Sequence, residues 1–321
     1  MQQPAPAEPS YKNGYKIRMK RLLYILVCLF VWASAFGQTV NYEQRYDLLV
    51  SKFGPTGVGV ETVLDNWAKT DSTNMKLLTA RFSYYFAKSK SDKIVKLPQK
   101  KYLGMDPLLS LKDSTGTNVY YFQEPVFDDE IYGEALKSAD RAINIYPDCL
   151  DFRFMKANAY ISYEKESPDM ALAYLIALAA DDAAGRYAWK YEGKPVKTDF
   201  FVDSMLEYCY SFYSTGSKKS MDAFLKLSEK MNSLHPEHPG FLNNIGSYYM
   251  ISEQDYKTAL KYYGKVLKKH PQDYTAIKNS LIAARKLKNE KLEKKYLQMV
   301  AKYGPETERR QAEMILKSRS K

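Results

Sequence analysis

The segment Asn243 to Pro271, NNIGSYYMISEQDYKTALKYYGKVLKKHP, constrains the fold more than any other part of the chain. It spells two amphipathic helices in succession, with apolar or small residues recurring at helical spacing. The first carries Ile245, Gly246 and Tyr249; the second carries Ala259, Tyr263 and Val266, and Pro271 closes it. Gly246 and Ala259 are small, which lets two helices cross closely, and Tyr249 and Tyr263 fill the space on either side. Pro271 lacks an N–H and cannot continue the helix. Such a pair cannot bury its apolar face alone, so it predicts neighbours of the same kind.

Those neighbours are present. Ala135, Ala139, Ala142 and Pro147 repeat the offsets of 4, 7 and 12 that separate Ala259 from Tyr263, Val266 and Pro271. Ala157 and Tyr160 repeat the three-residue step from Gly246 to Tyr249, and Pro168 opens a following helix with Ala171, Leu175 and Leu178. Thr198–Ser214 and Lys218–Ser233 form a further pair closed by Pro236. Tyr274–Lys286 and Glu290–Lys302 form the next, with Tyr296 and Met299 in the second helix.

This pattern resembles the tetratricopeptide repeat family, specifically over residues 128–302 and weakly before them. The turn inside the pair from 243 to 271 is one residue longer than the family consensus. The resemblance implies an all-α, right-handed helical solenoid of about five to six helix pairs. It also implies a concave groove lined by first-helix residues that face away from the second helix. Carrying the family's groove positions onto this sequence gives Phe154, Asn158 and Ile161 in one unit and Asn243, Ser247 and Met250 in another. Lys278, Ile282 and Arg285 follow in the next. Amide, basic and apolar groups together suit an extended peptide or protein partner. The alternation of Lys and Asn that clamps a terminal carboxylate in this family is not reproduced.

Upstream, residues 38–90 read as helices Val40–Phe53, Glu61–Lys69 and Asn74–Lys88, the first two joined by Gly54-Pro55-Thr56-Gly57. Ala80 and the aromatic run Phe82, Tyr84, Tyr85 and Phe86 mark the third as the first helix of a pair. Its partner comes only at Phe127–Tyr146, leaving an insertion at residues 91–127. There Leu108–Leu111 and Val119–Phe122 flank Asp113-Ser114-Thr115-Gly116, which predicts a β-hairpin. The insertion is either a binding element or a surface loop. Repeats occupy 128–304, and 305–321 reads as a capping helix, Pro305–Lys317, with a basic tail.

At the N-terminus, Met19-Lys20-Arg21 precedes an uncharged apolar run from Leu22 through Ala33, and Ala35-Phe36-Gly37 places small residues around a cut before Gln38. Basic start, short apolar run and small-x-small site are the three parts of a secretory signal peptide, assigned here to residues 1–37 with its start at Met19. The expected location is the periplasm or the cell surface. An uncleaved anchor is the competing reading, although the run is shorter than the ~20 residues that span a bilayer. Val27 before Cys28 is not the small residue a lipidation signal needs.

Removing residues 1–37 takes five Lys/Arg and one Glu from totals of 48 and 37, leaving 43 and 36, a net +7. Residues 285–321 alone hold 12 Lys/Arg against 5 Glu. These charges interleave at helical spacing, so a solvated face or attraction to an anionic envelope surface is expected, and no nucleic acid. An oxidising compartment would permit one disulfide between Cys149 and Cys209; they fall in different helix pairs, which favours two buried thiols instead. Pro236 interrupts the pair His235 and His238, so no metal site is expected, and the segment reads as a repeat linker. Gly216-Ser217-Lys218-Lys219-Ser220 superficially resembles a phosphate loop but lacks the distant Gly and the strand before it. No cofactor and no catalytic constellation are expected. A glycan-binding role through exposed aromatics such as Trp67 and Trp189, and an enzyme site in the insertion, are the alternatives.

Overall fold

A computed structural model describes residues 40–319; the proposed signal peptide at 1–37 lies outside them. The described residues form thirteen helices and a small antiparallel sheet inserted between two of them. Helices α1 (Tyr42–Phe53), α2 (Val60–Thr70) and α3 (Met75–Ser89) come first. Strands β1 (Lys90–Leu97), β2 (Leu109–Lys112) and β3 (Asn118–Phe127) follow, and then α4 (Asp129–Ile145) packs along α3. The remaining pairs are α5 (Leu150–Glu164) with α6 (Asp169–Ala183), and α7 (Thr198–Thr215) with α8 (Lys218–Leu234). Next come α9 (Pro239–Ile251) with α10 (Tyr256–Lys269), and α11 (Tyr274–Lys286) with α12 (Glu290–Tyr303). Helix α13 (Glu306–Ser318) closes the array against α12.

Local chemistry sets these boundaries. Asp128, Ser217, Asp255, Asp273 and Asn289 each cap a helix by accepting a backbone N–H in its first turn. Pro147, Pro236, Pro271 and Pro305 each stand two residues beyond the end of a second helix, where a continuing helix would need an N–H. Inside the pairs, the turns pass through a residue of positive φ: Lys165, Gly216, Gln254 or Lys288. The helices α10 and α12 start 34 residues apart, at Tyr256 and Glu290.

Small side chains carry the close crossings. Ala135, Ala139, Ala142, Ala157, Ala171 and Ala259 are fully buried, as are Ser220, Ser228 and Ser280. A Cβ on Gly246 would stand 2.6 Å from Cε1 of Tyr263, so the ring of α10 lies directly on the backbone of α9. Aromatics fill the remaining volume, as where Tyr132 and Tyr163 stack at 4.4 Å. Cys149 and Cys209 are both buried and unpaired, and burial pushes their thiols up to about 11 and about 12.

The insertion contains the predicted hairpin, β2 paired antiparallel with β3, and a third strand the sequence reading did not anticipate. β1 continues from α3 and pairs along β3, giving the order β1-β3-β2. One face of this sheet is anchored. Phe122 is buried, and Glu124 accepts from Lys165 at 2.6 Å and lies 3.3 Å from Lys93. Beyond β1, the loop reaches α7, where a Cβ on Gly104 (φ +77°) would meet the Ser214 carbonyl oxygen at 2.1 Å. A second hairpin, β4 (Lys190–Tyr191) and β5 (Lys194–Pro195), separates α6 from α7.

Candidate functional site

Consecutive first helices contact one another where α7 meets α9 and α9 meets α11, forming one layer; second helices lie in another, with α6 against α8. Clefts open between the first helices. One, of about 450 Å³, lies between α3 and α5 and is closed at one side by Tyr191 of β4. Phe82, Phe86, Phe152 and Met155 give it an apolar floor, and Asn158 and Ser162 give it polar rims. A second, of about 420 Å³, lies between α7, α9 and the start of α11, with Asn244, Ser247, Asp273 and Thr275 as polar groups.

A third, of about 720 Å³, sits where Lys101 and Gly104 of the insertion meet the ends of α7 and α9. Tyr210 and Tyr213 line both this cleft and the second, so the two share an aromatic wall. Tyr210 is 63% exposed, unusual for a large aromatic ring. On the third cleft's other side, the Tyr248 hydroxyl lies 3.2 Å from Asp222 and 3.0 Å from Glu253. Burial, reinforced by these two carboxylates, drives the Tyr248 hydroxyl well above the ordinary tyrosine range.

The residues read from the sequence distribute unevenly. Phe154 and Asn158 line the first cleft, Asn158 exposed and Phe154 half-buried with its ring 5.6 Å from Tyr208. Ile161 turns instead into the core formed by α5 to α9. Asn243 and Ser247 line the second cleft. Asn243 is only 6% exposed, and its Nδ2 donates to Asp273 Oδ1 at 3.1 Å, bracing the residue that caps α11. Ser247 Oγ shares a hydrogen bond with the Tyr263 hydroxyl at 3.2 Å, and that hydroxyl also lies 3.9 Å from Met250 Sδ.

Lys278, Ile282 and Arg285 line none of these three clefts. In α11 the buried positions are Ala276, Ile277, Ser280, Leu281, Ala283 and Ala284, and all three groove candidates lie outside this set, exposed. Lys278 pairs with Glu308 of α13 at 3.1 Å and Arg285 with Glu293 of α12 at 2.9 Å. The sequence reading also expected Trp67 and Trp189 to be exposed, and both are buried. Trp67 packs near Tyr46, while Trp189 stacks on Phe201 and donates its indole N–H to Asp182 at 2.9 Å. Apolar ring area outweighs the one polar atom in each case, which removes the basis for a glycan platform at these residues.

Sequence reasoning missed Tyr191, Tyr210, Tyr213 and the insertion tip. The signal for Tyr210 was present: it lies on the opposite side of α7 from Cys209 and Phe212, which are buried. Nothing in the sequence indicated that Gly104 would reach α7. His238 caps α9, its Nδ1 accepting from Gly240 N at 3.2 Å. Among the described residues, no group of three or more His, Cys, Asp or Glu is placed to hold a metal ion. No helix among them is long and apolar enough to cross a membrane.

No protein-family model matches the sequence, and no curated protein matches it.

Proposed function

We propose that this chain is an exported, right-handed solenoid of the tetratricopeptide type that holds a protein or peptide partner along its first-helix layer, without catalysis. The observation that carries the reading is the placement of the clefts. Groove positions transferred from the family in two separate units, Phe154 with Asn158 and Asn243 with Ser247, open into two clefts of the same layer. The 34-residue step from α10 to α12 and the buried Ser280, 34 residues after Gly246, support the repeat reading behind that transfer.

Cleft chemistry supports a peptide ligand. Apolar floors with amide and hydroxyl rims take alternate side chains of an extended segment while bonding its backbone. Asn158 is exposed at one cleft and Ser247 half-buried at the other; Asn243 acts indirectly, by fixing the start of α11. The test replaces Asn158 and Ser247 each with a long charged residue. Asn158→Arg and Ser247→Arg together should abolish co-purification of a partner from the native host, while Lys137→Glu on the outer side of α4 leaves it intact. Equal recovery with all variants contradicts the reading.

A further inference from the structure

The basic charge of the C-terminal region is not where the sequence total suggests. The arginines of that region are consumed internally: Arg285 and Arg319 pair with Glu293, and Arg309 and Arg310 pair with Glu306. Unpaired lysines concentrate on α10 and α12, with Lys286 and Lys288 between them. Helix α10 contains no acidic residue, and Lys257, Lys261, Lys265 and Lys268 are exposed with no ion-pair partner among the described residues. Only Lys269 of that helix is taken, by Glu237 at 2.7 Å. On α12, Lys291, Lys294, Lys295 and Lys302 are likewise exposed and without an ion pair. One of that helix's two acids, Glu293, is already neutralised by arginines.

On each helix these lysines lie opposite the buried face. Ala259, Tyr263 and Val266 of α10 and Tyr296, Leu297 and Val300 of α12 are buried. Both helices pack on α11, and each turns its lysines away from its own buried contacts. We infer that these lysine-bearing faces are a docking surface for an anionic lipid bilayer. Charge complementarity is the first argument: eight exposed lysines stand against Glu290 as the one acid of these two helices outside an ion pair. The second is the type of cation. Lysine is a flexible point charge suited to mobile headgroups, whereas phosphate recognition along a nucleic acid favours the arginine fork, and neither helix carries an arginine. The third is the ring beneath the charge: Lys265 lies 4.7 Å over Tyr262, and Lys302 lies 5.0 Å over Tyr303. An aromatic body under a cationic tip matches the interfacial zone of a bilayer.

The site is on the second-helix layer and is independent of the clefts. Bound at this face, the protein would hold its first-helix layer toward solvent. The test is co-sedimentation of the chain from Gln38 onward with phosphatidylcholine vesicles, with and without phosphatidylglycerol. Binding is expected only with the anionic lipid, weakening steeply as salt rises. Each lysine near such a surface is worth roughly fivefold in partitioning, so Lys257→Gln, Lys261→Gln and Lys268→Gln together should cut it on the order of 100-fold. Those side chains have no ion-pair partners, so the triple variant should melt as the wild type does, which separates lost docking from lost folding. Failure to bind anionic vesicles at low salt, or binding that survives the triple substitution, overturns the inference. Tighter binding to duplex DNA than to the vesicles overturns it in favour of nucleic acid.

Discussion

Gly246→Ala should destabilise the protein, although the same change at Gly264 should stabilise it. Both glycines lie inside helices, α9 and α10, where alanine normally gains about 1 kcal/mol in helix propensity. At Gly264 a Cβ meets no atom within 4 Å, so that gain of about 0.5–1 kcal/mol should appear in full. At Gly246 the added carbon would lie 2.6 Å from Tyr263 Cε1, 2.9 Å from Cδ1 and 3.0 Å from Cζ. Carbon atoms rest about 3.5–4.0 Å apart, so the ring must retreat by roughly 1 Å. Tyr263 is fully buried and its hydroxyl is shared with Ser247, which leaves it little room. Overpacking of this kind costs about 1–3 kcal/mol, so the net effect of alanine is a loss of about 0–2 kcal/mol. Leucine adds three further carbons to the same gap and should cost more than 3 kcal/mol by the same reasoning.

The assay is urea denaturation followed by far-UV circular dichroism on both alanine variants, the leucine variant, Tyr263→Leu, and Gly246→Ala with Tyr263→Leu. Trimming the ring should recover part of the alanine penalty, a coupling of about 0.5–3 kcal/mol between neighbours. Gly246→Leu that is as stable as wild type, or alanine variants that shift equally at both positions, would refute the α9–α10 contact as the determinant of this helix pair.

Three further outcomes follow from the same geometry. Lys165 and Lys93 hold the Glu124 carboxyl below the usual carboxylate range against the opposing effect of burial. The stability it contributes is therefore present at neutral pH and lost as pH falls through that lowered value. Hydrogen-exchange protection factors in residues 90–127, taken against the intrinsic rate at each pH, should fall in acid, and Glu124→Gln should remove that dependence. Gly104→Val should release the insertion tip from Ser214, exposing the loop between β1 and β2 to limited proteolysis while leaving the melting of the helices unchanged. In a Cys28→Ser background, the raised thiols of Cys149 and Cys209 should resist a disulfide reagent in the native state and both react once denatured.

Helices were legible because their signals are local. The prolines after α4, α8, α10 and α12, and the Asp, Asn and Ser caps, act within one turn of the residues they govern. Phe154, Asn158, Asn243 and Ser247 line clefts in units where Ala157 and Gly246 stand out as small residues at a helix crossing. In α11 that marker is ambiguous: Ala276, Ser280, Ala283 and Ala284 are all small and all buried, and Lys278, Ile282 and Arg285 face outward. β1 was missed for a different reason. It runs on from α3 without a Gly or Pro to punctuate it, and its first residues are exposed on both faces, so no apolar alternation marks a strand. The turn of the β4–β5 hairpin was more visible than the reading allowed, since Glu192-Gly193 is a two-residue link and both take positive φ. Exposure of the tryptophans is a tertiary property. Trp189 is covered because Phe201 arrives from the next helix, which no local pattern reports.

A partner held in the first-helix clefts should be captured by a photo-crosslinking amino acid placed at Asn158 and, separately, at Ser247, with Lys137 as the position on the opposite layer. With the full chain expressed in its native host, one and the same partner should be captured from both cleft positions and not from Lys137. Capture from Lys137 alone, or different proteins from the two clefts, would contradict that placement.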